Sequence, residues 1–128
     1  MRLHHVQVAC PRGGEDEARR FYGEALGMTE VDKPADLVAR GGCWFRAYDD
    51  GGAVAAELHV GVEDPFAPAR KAHPAFVVPD VDEAAQRLRR LGFEVDDRER
   101  TTFPGHLRVH ARDAHGNRVE LLQLVTDE

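Results

Sequence analysis

Histidine and glutamate side chains recur in strand-like segments of this sequence, in a pattern that could hold a metal ion. His5 and His73 lie in two short strand-like runs, and Glu120 lies in a third. Glu57 and His59 are two residues apart, so on a strand their side chains point to the same face. Imidazole and carboxylate ligands together suit Zn, Ni, Fe, Co or Mn, and the sequence does not choose among these metals.

The segments that carry these residues form an internal repeat. In each half, a strand-like run leads into a helix with one apolar face, and a glycine ends the helix. His5 and His73 hold similar places in the two copies, so neither reads as an isolated histidine. The first copy consists of the strand Leu3–Ala9, the helix Glu15–Leu26 and Gly27. The second copy consists of the strand His73–Val78, a helix that Asp80 caps at its start, and Gly92 at the end of that helix.

Three strand-like pieces follow each of these glycines, which gives two βαβββ modules and an α+β fold. We expect a single domain over residues 1–128, with module one at about 1–63, a linker at about 64–71 and module two at about 72–126. The predicted strands after the glycines are Met28–Asp32, Cys43–Tyr48 and Val54–Val62, then Phe93–Arg98, His106–Arg112 and Arg118–Leu124.

Three motifs make the sequence resemble the vicinal oxygen chelate superfamily, the glyoxalase, bleomycin-resistance and dioxygenase group. The opening run Leu3-His4-His5-Val6-Gln7-Val8 is similar to its first strand. Phe21-Tyr22 followed by Leu26-Gly27-Met28 matches its first helix. The run Asp113-Ala114-His115-Gly116-Asn117-Arg118-Val119-Glu120-Leu121 matches its terminal hairpin, with Ala114 where proline is usual. The resemblance implies a curved mixed sheet that forms a cavity.

The resemblance also implies a divalent metal held by one ligand from each of four strands. Carried over to this chain, the ligands are His5, His59, His73 and Glu120. Glu57 is the alternative to His59, because Glu57-Leu58 repeats the Glu-Leu pair at Glu120. Glu57 could instead accept a hydrogen bond that holds His59. His106, His110 and His115 lie near loops or on hairpin strands, and we do not expect them to bind the metal.

Further residues are candidates for catalysis and substrate contact. In glyoxalase-type mechanisms a carboxylate leaves the metal to act as a base, which implies Glu120 or Glu57 in this chain. Gln7 shares the strand face of His5, and Arg118 shares that of Glu120. Trp44 and Arg46 share one face of their strand. We therefore predict that the substrate pocket is lined by Gln7, Trp44, Arg46 and Arg118.

The composition limits the classes of partner. A net charge of −6 argues against nucleic-acid binding, which needs a basic patch. No apolar run is long enough to span a bilayer, and no secretory stretch opens the chain, so we expect a cytoplasmic protein. Cys10 and Cys43 are expected to be reduced thiols without a role. Superfamily members of this length are commonly homodimers, and we expect one here with a small-molecule substrate.

The leading functional hypothesis is a glyoxalase-like, metal-dependent lyase or isomerase that chelates neighbouring oxygens of a small substrate. The alternative is a metal-free protein that sequesters a drug, as bleomycin-resistance proteins do. A dioxygenase ranks below both, because extradiol enzymes usually have longer chains. A thiol transferase acting on fosfomycin also ranks lower, since no cluster of Lys and Arg marks a phosphonate pocket in the sequence.

Overall fold

The chain forms two compact units in this computed structural model, which describes residues 1–125. The first unit covers Met1–Pro68, and the second begins at Ala69. The boundary lies inside the predicted linker, while residue 126, where the second module was predicted to end, lies outside the described residues. No helix in the described part of the chain is both long and apolar enough to cross a bilayer.

Each unit contains one four-stranded sheet, and the two sheets have the same topology. The strand orders are β1-β4-β3-β2 and β5-β8-β7-β6, with the first pair parallel and the others antiparallel. The predicted α+β class and the two βαβββ modules are therefore confirmed. In the first unit the strands are β1 (Val6–Cys10), β2 (Thr29–Val31), β3 (Cys43–Tyr48) and β4 (Val54–Val62). In the second they are β5 (Ala75–Val77), β6 (Val95–Asp96), β7 (His106–Arg112) and β8 (Arg118–Leu124).

The helix of the first unit is wound in two ways, which differs from the single helix predicted for Glu15–Leu26. It begins as the α-helix α1 (Glu15–Ala18) and continues as a π-helical segment, Arg19–Ala25. The amide of Leu26 donates to the carbonyl of Phe21 over five residues, which is the hydrogen bond of π winding. The apolar face is nevertheless the predicted one, because Phe21 and Tyr22 are fully buried.

The helix of the second unit, α2 (Val81–Arg90), begins as the sequence indicates. The carboxylate of Asp80 accepts hydrogen bonds from the amides of Asp82 and Glu83, which satisfies two free donors of the first turn. Val81, Ala85 and Leu88 are buried on one side of the helix. Apolar residues of the neighbouring strands are buried as well: Val109, Ala111, Val119 and Leu121.

Several strands are shorter than the sequence suggested. β1 begins at Val6 and β5 at Ala75, so His5 and His73 lie just before their strands. Pro74 lacks an amide hydrogen and cannot donate to a sheet, but its carbonyl accepts from the amide of Glu120. A short 3₁₀ helix, Ala35–Arg40, was not predicted.

Both cysteines are buried, and neither is in a disulfide. Burial raises the pKa of the Cys43 thiol to about 12. A thiol that stays protonated at neutral pH is a poor nucleophile and a poor metal ligand, so Cys43 is a packing residue.

Candidate metal and substrate site

In the first unit, a hydrogen-bonded pair of side chains lies buried on β4. The Oε2 atom of Glu57 is 2.7 Å from Nε2 of His59, and Nε of Arg46 donates to Oε1 of Glu57 at 2.8 Å. Glu57 and His59 are only 7% and 5% exposed. The Glu57 carboxylate is therefore held from both sides, in a fixed position on the sheet.

These contacts decide the charge of the pair. Burial acts to raise the pKa of Glu57, but the hydrogen bonds with His59 and Arg46 outweigh it and leave the pKa below its usual value. Burial lowers the pKa of His59 despite the nearby carboxylate. At neutral pH the pair is thus an ionised Glu57 and a neutral His59, which are the forms that bind metals.

Three aromatic rings stack across this sheet. The ring of Trp44 on β3 lies parallel to that of His59, with centroids 3.8 Å apart and an interplanar angle of 1°. The ring of His5 is 4.0 Å from His59 at 20°. Because β4 lies between β1 and β3, each neighbouring segment contributes one ring to hold the imidazole of His59.

His4 also reaches this group, although neighbouring residues of a regular strand would point to opposite faces. The Nδ1 atoms of His4 and His5 are 2.9 Å apart, because both residues precede the regular strand and its alternation of faces. Ligand atoms of His4, His5 and Glu57 lie within 4.8 Å of one another. This unit therefore holds more candidate ligands than the two that the sequence selected.

In the second unit, His73 and Glu120 meet as a pair. Nδ1 of His73 donates to the carbonyl of Lys71 at 2.6 Å, and its Nε2 lies 2.9 Å from Oε1 of Glu120. A neutral His73 with its hydrogen on Nδ1 presents the Nε2 lone pair to a carboxylate. Two acceptors at this distance need a proton or a metal cation between them. A histidine that donates its other nitrogen to a backbone carbonyl is also the usual form of a metal ligand.

His110 also lies in this group, although the sequence analysis did not expect it to bind the metal. Its Nε2 atom is 3.5 Å from Oε1 of Glu120 and has no hydrogen-bond partner among the described residues. Ligand atoms of His73, His110 and Glu120 lie within 4.8 Å of one another. A buried nitrogen without a partner is costly, and a bound cation or ligand group would satisfy it.

The charge state of this group suits a cation. Burial acts to raise the pKa of Glu120, but the contacts with His73, His110 and Arg108 outweigh it, and the pKa lies below its usual value. Burial, followed by the nearby positive charge of Arg118, lowers the pKa of His110. The site therefore offers an ionised carboxylate and a neutral imidazole at neutral pH.

His59 and Glu120 occupy equivalent positions in the strand pairing of their two sheets. His5 stands two residues before the residue of β1 that pairs with His59, and His73 stands two residues before the residue of β5 that pairs with Glu120. Glu57 lies two residues earlier on β4 and does not share this relationship. On β3 and β7, the partners of His59 and Glu120 are Trp44 and His110.

The predicted pocket residues lie in different surroundings. Arg46 lines a cavity of about 540 Å³ in the first unit, together with Glu57. Trp44 is held in the ring stack, and Gln7 is exposed on β1 beside Gly61, where an added Cβ would come within 2.6 Å of the Gln7 Nε2 atom. Arg118 lines a cavity of about 370 Å³ in the second unit, with His110 in its wall.

Known proteins share this fold. The structure matches that of a glyoxalase family protein from Bacillus anthracis with a TM-score of 0.81 and 45% sequence identity, over 98% of this chain and 100% of that one. TnmS3, an antibiotic binding protein from Streptomyces sp. CB03234, matches with 24% identity and a TM-score of 0.66, over 98% and 99% of the two chains. The fosfomycin resistance protein FosX from Listeria monocytogenes matches with 18% identity and a TM-score of 0.71, over 98% and 94%.

No curated protein matches the sequence. The family model of the Glyoxalase/Bleomycin resistance protein/Dioxygenase superfamily does, and it matches residues 2–121. That range includes the opening strand, the first helix and the terminal hairpin, the three motifs on which the resemblance was based. The chain belongs to this superfamily.

Proposed function

We propose that this protein is a metal-dependent enzyme of the lyase or isomerase class, acting on a small substrate with neighbouring oxygen atoms. The observation that carries the proposal is the contact between His73 Nε2 and Glu120 Oε1 at 2.9 Å, with the other nitrogen of His73 donating to a carbonyl. A divalent cation placed between the imidazole and the carboxylate would bind both, so that two hydrogen-bond acceptors no longer face each other directly.

The donor set supports a transition metal rather than Ca²⁺ or Mg²⁺. Imidazole nitrogens favour Zn, Ni, Co, Mn or Fe(II), whereas the harder cations prefer oxygen ligands. The unpartnered Nε2 of His110 supplies a third donor in the same unit. A site with few protein ligands keeps coordination positions free for substrate.

The resemblance adds His5 and His59 to His73 and Glu120, and this four-residue ligand set stays a prediction. The shared pairing register of His59 and Glu120 supports His59 over Glu57 at the fourth position. Glu57 then has the supporting role, since it already accepts a hydrogen bond from His59 in one of that residue's tautomers.

When bound, the metal would act as a Lewis acid that stabilises negative charge developing on the substrate oxygens. The chain itself supplies the proton acceptor. Glu57 is one candidate base, because it is ionised and Arg46 fixes the position of its carboxylate. Glu120 is the second candidate base, with His73 and His110 at its oxygen Oε1.

Activity on hemithioacetals and other substrates with vicinal oxygens tests this function. We expect turnover by the metal-loaded protein, loss after chelation and recovery when Zn, Ni, Mn, Co or Fe(II) is returned. Glu57→Gln tests the first candidate base, because a variant that retains its metal but loses kcat has lost the proton acceptor. Glu120→Gln should lose metal together with activity, since Glu120 is a predicted ligand. Tight binding of a cationic drug by protein that takes up no metal would instead favour the alternative, a metal-free sequestering protein.

A further inference from the structure

The sheet of the second unit has one apolar and one charged face. Along β7 and β8, the buried apolar residues alternate with polar ones, so the polar side chains share the opposite face. A cavity of about 370 Å³ lies against this face. Next to the hairpin turn, the polar side chains of this face are His110, Arg112, Arg118 and Glu120.

Arg112 and Arg118 lie directly opposite each other in the β7–β8 pairing. Like charges in this arrangement repel and destabilise the sheet. Neither guanidinium forms an ion pair with a carboxylate among residues 1–125, and both side chains are half-buried. Two adjacent cations in a cavity wall, neither of them in an ion pair within that part of the chain, are an arrangement that an anion would stabilise.

The other arginines close to this cavity are already neutralised. Arg98 contacts the carboxylate of Asp96 at 2.6 Å, and Arg108 contacts that of Glu99 at 2.8 Å. Their charges therefore cancel those of two acidic residues in the wall. The third acidic residue, Glu94, is exposed, and its carbonyl accepts from the amide of Arg112.

His110 lies both in the wall of this cavity and beside the other candidate metal ligands. It is 9% exposed, it lines the same cavity, and its Nε2 atom has no hydrogen-bond partner among the described residues. Because His110 and Arg112 are two residues apart on one strand, their side chains emerge on the same face, about 7 Å apart.

We propose that this cavity binds an oxyanion, a carboxylate or phosphate group of the substrate, between Arg112 and Arg118. Each guanidinium can offer two parallel N–H donors to such a group. The inference rests on the proposed function, because it adds a feature to that substrate. The substrate would carry an anionic group beside the oxygens that face His73 and Glu120. The sequence analysis found no basic cluster, because Arg112 and Arg118 become neighbours only through the hairpin.

Anion binding can be measured without the metal, so that coordination of the anion by a bound cation does not add to the measured affinity. Metal-free protein is titrated with inorganic phosphate and, separately, with acetate, while backbone amide shifts of residues 110–118 are followed. We expect saturable shifts, with the tighter of the two ligands identifying the group. Arg112→Gln and Arg118→Gln should each weaken binding about tenfold, which is the loss expected for one charge-assisted hydrogen-bonded contact.

Two further variants separate a specific site from general surface charge. Arg90→Gln removes an exposed arginine of α2 and changes the net charge by the same amount, but it should leave the affinity unchanged. Glu94→Gln removes a negative charge from the cavity wall and should tighten binding, a gain that misfolding cannot produce.

Absence of saturable shifts with both ligands would overturn the proposal, as would equal weakening by Arg90→Gln and Arg118→Gln. Failure of the proposed function is seen separately, because it appears as absence of metal uptake in a protein that still binds phosphate or acetate.

Discussion

His110 stands directly across the β7–β8 pairing from Glu120, and its Nε2 atom lies 3.5 Å from Oε1 of the glutamate. This distance is too long for a good hydrogen bond and short enough for both atoms to bind one cation. The contact extends the pair predicted from the sequence, His73 and Glu120, to three candidate ligands in one unit.

His110→Ala should therefore weaken metal binding about tenfold. A loss of this size is expected when a side chain that binds the metal, or that holds one of its ligands in place, is removed. His106→Ala is the matched control, since His106 lies on the same strand and bonds the carbonyl of Pro104 instead. Metal affinity measured by competition with a chelator decides the point, and equal affinities of the two variants would remove His110 from the site.

Trp44 is the only tryptophan of the chain, and its ring lies 3.8 Å from that of His59. If His59 binds the metal, its imidazole gains positive character, and the emission of the stacked indole should change when metal is added. The His59→Ala variant should lose this response, while His106→Ala should keep it. A response that persists in His59→Ala would mean that His59 is not a ligand and would favour Glu57.

Glu15 links the first helix to the loop before β3, since its Oε2 atom accepts from the amide of Gly42 at 2.9 Å. This hydrogen bond lowers the pKa of Glu15 below its ordinary value. An acid whose pKa is lower in the folded state stabilises the fold at pH values above its unfolded-state pKa. This contribution is lost as the pH falls through the folded-state pKa. Glu15→Ala should cost about 1 kcal/mol at neutral pH and less at pH ~3.

Denaturant unfolding at the two pH values measures this difference. An unchanged cost at low pH would show that the contribution of Glu15 does not depend on its charge.

Gly42 has a φ of 85°, and a Cβ at this position would meet the carbonyl oxygen of Val60. Gly42→Ala therefore combines backbone strain with a steric clash against β4. Gly13 also has a positive φ, of 80°, but a Cβ there would meet no atom within 4 Å. We expect Gly13→Ala to cost about 1–2 kcal/mol from backbone strain alone and Gly42→Ala to cost distinctly more. Thermal unfolding compares them, and equal losses would contradict the clash with the Val60 carbonyl.

The predictable part of the fold came from patterns that are local in sequence. The apolar face around Phe21 and Tyr22, the cap at Asp80 and the two glycine stops each depend on a few neighbouring residues. The π winding after Ala18 was not predicted, since it keeps the same side chains buried and changes only the backbone hydrogen bonds.

The candidate site was harder to predict, because it depends on pairing between strands. The predicted terminal hairpin did contain a signal: counting outwards from the five residues 113–117 places Arg112 opposite Arg118, and His110 opposite Glu120. No comparable signal placed His4. It lies before the regular part of β1, where side chains do not alternate between the two faces of the sheet.

The central claim is that His73 and Glu120 bind a transition metal. It is tested most directly by plasma mass spectrometry of the purified protein beside a His73→Ala/Glu120→Gln variant, after both are offered Zn, Ni, Co, Mn and Fe(II) and washed free of excess ions. We predict about one metal ion per chain in the native protein and loss of it in the variant. Native protein that retains no metal, or a variant that retains as much, would contradict the account.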